Sequence, residues 1–362
     1  MDEDTLGAAT IAPSWHRGPA ASPARAGRVW QARAVPDEDR PPPPATPLPA
    51  GDPLAGLAAL PAVVAAVGRA REACEALRWH EAYRRRWREV RAECTLRAAR
   101  AGAALEGARV PLDLLRAAAL TPDEGRPDEG RPDEPQPDEG RPDASRAGVG
   151  RADAALVVAR GVFRADALVA DLLPPLGGPG APALPALPPT AQLLARLHAA
   201  VVGGPGGRAD AGRLRAAAEV PLDLRGLGPA PAAADAAARV ALLGQVLAAT
   251  RAPALVVAAV AHAELLVVRP FAVGSGPVAR AFARLLVVRG GLDPTGTVLA
   301  EEVWAAAPQT YLAGTAQLAT GTPDGAARWV ALYADAVVDG ARRARDVADG
   351  VLAGRMPGIV AR

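Results

Sequence analysis

None of the 362 residues is lysine or asparagine, so every one of the 41 basic residues is an arginine. Without lysine there is no ammonium for a P-loop and no amine for Schiff-base chemistry. Without asparagine, several metal-binding and oxyanion-stabilising arrangements are closed off. Aromatic residues make up 3%, while Ala, Arg, Gly, Pro, Leu and Val dominate, the bias of a GC-rich genome. Two cysteines, Cys74 and Cys94, fall in a stretch that reads as one helix, too far apart along its axis to bridge. They are expected to be reduced and packed, as in a cytoplasmic protein. The longest apolar run, residues 252–268, is interrupted by His262 and Glu264 and falls short of the roughly 20 residues a bilayer requires, so no membrane association is expected. The first residues are acidic and lack an apolar run, which argues against a secretory signal. A net charge of +2 is too close to zero to predict nucleic-acid affinity for the chain as a whole, so any such affinity must come from a local patch.

Half of the residues are apolar, enough for a sizeable core. Residues 1–58 mix proline, alanine and charge without periodicity and read as a disordered tail. From 60 to 100 a long helix is expected, with Trp79, Tyr83, Trp87, Val90 and Cys94 on its buried face and Arg78, Arg84, Arg85, Arg86, Arg88 and Arg91 opposite. Those arginines offer a nucleic-acid patch, but Glu75, Glu81, Glu89 and Glu93 interleave with them, the pattern of a solvated face. A turn at Glu106 and Gly107 leads to a helix opened by Pro111, closing an N-terminal helical module over 59–120. The degenerate PDEGR repeat within 121–150 has a period that suits neither helix nor strand and reads as a charged, proline-rich spacer.

Residues 151–352 return to helical periodicity, with helices expected over 191–202, 234–249, 254–268, 276–288, 301–320 and 325–352 and a short tail over 353–362. The stretch 207–232 contains the extended pieces of a short β-hairpin. Each half offers little else to catalysis. His198 and His262 have no cysteine or carboxylate pair beside them and make a poor metal set. Ser275 lacks the G-x-S-x-G spacing of a hydrolase nucleophile.

The distinctive stretch is RPFAVGSGPVAR, residues 269–280, set between two apolar helices. Gly274, Ser275 and Gly276 place exposed N–H groups at a helix N-terminus, and Arg269 and Arg280 supply charge, a combination suited to a phosphate. This stretch resembles the signature of the Fic (Fido) family, HPFx[DE]GNGRxxR, with Pro270, Phe271, Gly274, Gly276 and Arg280 in register. His262 stands seven residues ahead, where the family often has another histidine, and Gly212 to Arg215 look like a weakened G-x-[YF]-R element of its substrate-binding hairpin. The resemblance implies an all-α, Fic-like helical bundle with a β-hairpin flap. In active members it also implies transfer of a nucleotide monophosphate from ATP to a protein hydroxyl.

The departures fall on the chemistry. Arg269 occupies the position of the family's general base and cannot take up a proton. Val273 occupies that of the magnesium-binding acid and brings no side-chain oxygen, which argues against Mg²⁺. Pro277 replaces a phosphate-binding arginine. In active members a helix bearing [ST]xxxE[GN] restrains the site through a glutamate paired with the signature's last arginine. Here Gly102, Glu106 and Gly107 match that pattern in part, so the resemblance implies an ion pair between Glu106 and Arg280. The expectation is a cytoplasmic Fic-like pseudoenzyme that binds a phosphorylated small molecule, ATP being one, or a protein partner. The alternative is an active transferase that draws its base from Glu106 or Asp210.

Overall fold

A computed structural model of the chain describes residues 51–121, 144–173, 176, 186–204, 207–222 and 226–355. Residues 1–50 of the expected tail, 122–143 of the expected spacer and 356–362 of the expected C-terminal tail lie outside the described residues. Among the described residues there are helices, turns and irregular segments but no strand.

In chain order the helices are α1 (Ala55–Ala58), α2 (Pro61–Arg78), α3 (Ala82–Arg85), α4 (Trp87–Leu105), α5 (Leu112–Leu120), α6 (Ala144–Asp171) and α7 (Thr190–Val202), followed by α8 (Ala233–Ala249), α9 (Ala254–Val268), α10 (Ser275–Arg289), α11 (Ala300–Ala306), α12 (Pro308–Ala319) and α13 (Pro323–Leu352). Proline opens α2, α12 and α13, where its missing N–H leaves no bond unmade. The start of α13 is the most fully signalled, because the Thr322 hydroxyl also accepts from Gly325 N at 3.1 Å. α9 is apolar nearly all round and is buried accordingly, packed against α8, α10, α12 and α13.

The long helix expected over 60–100 is instead three helices. His80 Nδ1 accepts from Ala82 N at 3.3 Å, offering the backbone a partner outside the helical ladder, and the chain breaks there. The four-residue register is lost at the break. Trp79 was expected on the buried face, but it turns outward and is 65% exposed. Its indole N–H donates to Glu75 at 2.8 Å, and the Arg78 guanidinium covers its ring at 4.9 Å. Tyr83, Val90 and Cys94 do face inward. Cys74 and Cys94 therefore belong to different helices, and both are free, buried thiols.

The helix expected over 301–320 is also divided. Ala307, at φ −136° and ψ 63°, precedes Pro308, and a residue before proline is pushed out of the helical region. The N-terminal helices are not a separate body from those that follow. Val63, Ala66, Ala70, Cys74 and Leu77 of α2 join the main core against α13, while Leu96, Ala99 and Ala103 of α4 meet Val110, Leu115, Ala159 and Val162 in a smaller cluster. Both expected boundaries shift. Asp52 accepts from Thr250 Oγ1 at 2.8 Å, so the chain is already docked before residue 58, and α6 begins within the range expected as spacer.

Among the described residues of 207–232 the expected hairpin is not seen. Residues 207–222 run as an irregular strap over the loop between α9 and α10, joined to it by two backbone bonds, Arg215 N to Pro270 O and Leu222 N to Ala272 O, each 2.9 Å. The Arg215 and Leu222 donors go to that loop, and others close turns within the strap, rather than pairing with a strand.

Candidate functional site

The site is the junction of α9 and α10, with the end of α4 laid across it. α9 closes on Arg269, which adopts φ 47° and ψ 65°, the left-handed region that costs a non-glycine residue about 1 kcal/mol or more. The strain is held by the surroundings. Arg269 is 2% exposed, its Nη2 donates to Gly228 O at 2.8 Å, and its carbonyl accepts from Arg215 Nε at 2.9 Å. The arginine at the expected base position is thus a buried strut between the signature loop and the strap.

After Phe271 the loop closes on itself. Ser275 Oγ accepts from Phe271 N at 3.1 Å and donates to Phe271 O at 3.2 Å, so this hydroxyl serves the turn. Gly274 sits at φ 78° and lies so close to Val201 that a Cβ would reach its Cγ1 at 3.0 Å. Val273, at the expected metal-acid position, presents its isopropyl group, and its carbonyl accepts from His198 Nε2 at 3.2 Å. Pro277 is buried in the first turn of α10.

Glu106 caps α4, and Gly107 takes φ 84° to turn the chain away. The Glu106 carboxylate reaches the first turn of α10, where a Cβ on Gly276 would overlap its Oε1. Arg280 Nη2 donates to that oxygen at 2.6 Å and to Gly102 O at 3.2 Å. Both side chains are buried, 9% exposed for Glu106 and 4% for Arg280. Burial, the largest single influence, disfavours the Arg280 cation, but the charge of Glu106, the Tyr311 oxygen and their hydrogen bonds together outweigh it and raise the pKa above the ordinary arginine value. Gly102 stands where the family pattern has Ser or Thr. A Cβ there would lie 3.1 Å from Val162 Cγ1, so the close approach of α4 to α6 leaves little room for a hydroxyl-bearing side chain.

Behind Arg280 lies an aromatic cluster of Trp304, Tyr311, Trp329 and Tyr333 around His262. His262 Nε2 and Tyr311 Oη are 2.8 Å apart. Burial, and then the Arg280 charge, hold the His262 pKa well below the ordinary histidine value, so the ring is neutral at pH 7. His198 is held lower as well, chiefly by burial. The unfolded chain therefore takes up protons at these two sites first as pH falls. Through these two histidines stability is full above about pH 6.5 and declines below it, against an opposite contribution from Asp166 of α6, whose carboxyl burial raises to about 7 so that the folded chain gains a proton there first.

One turn along α10 from Arg280 is a second buried cation that sequence reasoning missed. Arg284 Nη2 donates to Glu301 of α11 at 2.6 Å, with both side chains under 10% exposed. Asp166 of α6 lies in the same field. Burial pushes its carboxyl up to about 7, against the opposing pull of Arg284. The four-residue spacing of Arg280 and Arg284 places both on one face, but nothing in the sequence pairs Arg284 with residues 17 and 118 positions away.

The other candidates are dispersed. Asp210 forms a two-pronged pair with Arg208, at 2.8 and 2.9 Å. Of the arginines between 78 and 91, Arg78, Arg84 and Arg86 pair with Glu75, Glu81 and Glu89, while Arg91 is buried against Thr295 O. No helix of the described residues is long and apolar enough to cross a membrane.

No protein-family model matches the sequence, and no curated protein matches it either. Solved structures do. A Fic family protein from Desulfovibrio desulfuricans G20 is 20% identical, with a TM-score of 0.56 over 80% of this chain and 76% of that chain. Fic-1 (residues 134–508) from C. elegans is 18% identical, with a TM-score of 0.49 over 79% of this chain and 74% of that chain. At such identities the likeness is one of backbone path, and the helical frame around the α9–α10 junction has the Fic fold.

Proposed function

We propose that this Fic-fold chain binds a phosphate-bearing ligand at the start of α10 without transferring a nucleotide, and that Glu106 occupies the ligand's place until displaced. The observation that carries the reading is the Glu106 carboxylate itself. It is an internal anion set against Gly276 and bonded to Arg280, where a helix N-terminus and a buried guanidinium converge.

The residues present fit a phosphate better than they fit a metal. Arg280 offers charge-assisted hydrogen bonds, and Gly276 lets an anion approach the backbone. Magnesium finds no side-chain oxygen at Val273, whose carbonyl is already engaged by His198. A base is missing as well, since the Arg269 guanidinium stays protonated and donates to Gly228 O. Loss of a general base alone costs roughly 10² to 10⁴ in rate. Neither alternative base is free in this arrangement, because Glu106 is bonded to Arg280 and Asp210 to Arg208.

Calorimetry with ATP, with and without Mg²⁺, on the intact chain and on Glu106→Gly tests the proposal. The variant is expected to bind ATP at least about tenfold more tightly than the intact chain, because a buried competing charge has been removed, with no gain from Mg²⁺. Absence of heat from either protein would reduce the fold to a scaffold. Magnesium-dependent labelling of a protein substrate from labelled ATP would establish the transferase alternative instead.

A further inference from the structure

Besides the backbone bond from Leu222 N to Ala272 O, the strap over residues 207–222 is fastened to the signature loop at two places by side chains of different chemistry. At one, Arg215 donates through its backbone N to Pro270 O and through Nε to Arg269 O, each at 2.9 Å, and Arg269 Nη2 donates to Gly228 O. A guanidinium keeps its protons throughout the pH range in which proteins fold, so this fastening is indifferent to pH.

The other fastening runs through one imidazole. His198 Nδ1 lies 2.9 Å from Gly212 N, and His198 Nε2 lies 3.2 Å from Val273 O. A backbone N–H only donates and a carbonyl only accepts. The ring must therefore carry its single proton on Nε2 and keep the Nδ1 lone pair for Gly212. A second proton, on Nδ1, would face the Gly212 N–H and abolish that bond. The ring cannot slide away readily, because it is stacked on Phe271 at 3.9 Å with an 11° interplanar angle. Gly212 cannot drift inward either. It turns at φ 81°, with the Ala195 carbonyl 3.2 Å from where a Cβ would stand.

We propose that His198 is a titratable latch: neutral, it fastens the 208–214 end of the strap across the signature loop, and protonated, it releases that end while the arginine fastening stays closed.

The charged groups around the ring leave its proton affinity to burial. On the strap, Asp210 favours the cation and Arg208 opposes it, and the two are bonded to each other. From α6, Arg164 is engaged by the carbonyls of Ala200 and Gly203 at the end of α7. α10 meets the ring through Gly274, and α8 packs at the far end of α7, where Gly244 lies against Thr190. The latch is accordingly shut at pH 7 and opens in acid, below the ordinary histidine range. It operates whether or not the start of α10 accepts an anion.

Hydrogen exchange of the intact chain, read by NMR at the Gly212 and Arg215 amides and normalised for intrinsic exchange, tests the latch. Between pH 7.5 and the acid pH at which the His198 ring shifts report its protonation, protection of Gly212 is expected to fall roughly tenfold relative to Arg215, the factor set by one lost hydrogen bond of ordinary strength. In His198→Phe, Gly212 is expected to be unprotected at both pH values. Constant Gly212 protection, a parallel fall at both amides, or a pH-dependent loss that survives in the variant would each overturn the proposal. The ring itself gives a check that needs no variant. At pH 7.5 the ¹⁵N shifts of His198 are expected to report the Nε2–H tautomer, and the Nδ1–H tautomer would contradict the latch.

Discussion

Replacing Arg284 with leucine is expected to lower unfolding stability by about 3–5 kcal/mol, the cost of leaving one member of a buried ion pair without its partner. Glu301 would lose the guanidinium that holds it at 2.6 Å, in a place where its side chain is 6% exposed and water cannot take over. Asp166 would lose the cation that opposes its neutralisation and would remain protonated to higher pH, since burial already lifts its carboxyl to about 7. The argument predicts an asymmetry. The double variant Arg284→Leu, Glu301→Met removes both charges and should recover most of the loss, as apolar replacement of buried pairs generally does. Urea unfolding of the two variants beside the parent measures both effects. A single-variant loss under about 1 kcal/mol would place this pair in the class of solvated ones.

Trp329→Ala is expected to cost about 3–5 kcal/mol, the range for deleting a large aromatic side chain from a packed core. Trp329 is fully buried, donates to Ala259 O at 2.7 Å and touches the rings of His262, Tyr311 and Tyr333. Phenylalanine at the same position keeps most of the volume but gives up the donor, and should cost about 1–2 kcal/mol. The comparison separates packing from the single bond to α9. Equal losses for the two substitutions, by thermal or denaturant unfolding, would contradict the view that the ring's volume carries this contact.

The helices that the sequence announces most clearly are those with complete local signals. Residues 254–268 form one apolar segment between Pro253 and Arg269, and α9 has those bounds. α13, expected over 325–352, starts two residues earlier, at Pro323, where Thr322 caps it. The failures come where a side chain intervenes in the backbone. His80 and Pro308 each divide a periodic stretch whose apolar spacing is continuous. Trp79 follows from the first of these, for a periodicity argument holds only while the helix does. The strap defeated a reading from extended residues because the Arg215 and Leu222 donors are taken by a loop some 50 residues onward and others close local turns, a choice that strand propensity does not encode. In the site, the meeting of Glu106 and Arg280 across 174 residues was legible only through the resemblance of both segments to a family pattern. Arg284, outside that pattern, gave no such sign of its partner.

Arg280 and Arg284 also make α10 intolerant of any change of phase. Their guanidinium groups, on successive turns, tie it to the end of α4 and to α11. One residue inserted between them would swing the second side chain about 100° around the axis, carrying a desolvated cation into hydrocarbon and away from its carboxylate. Between these positions the chain can exchange side chains, but it cannot change its length.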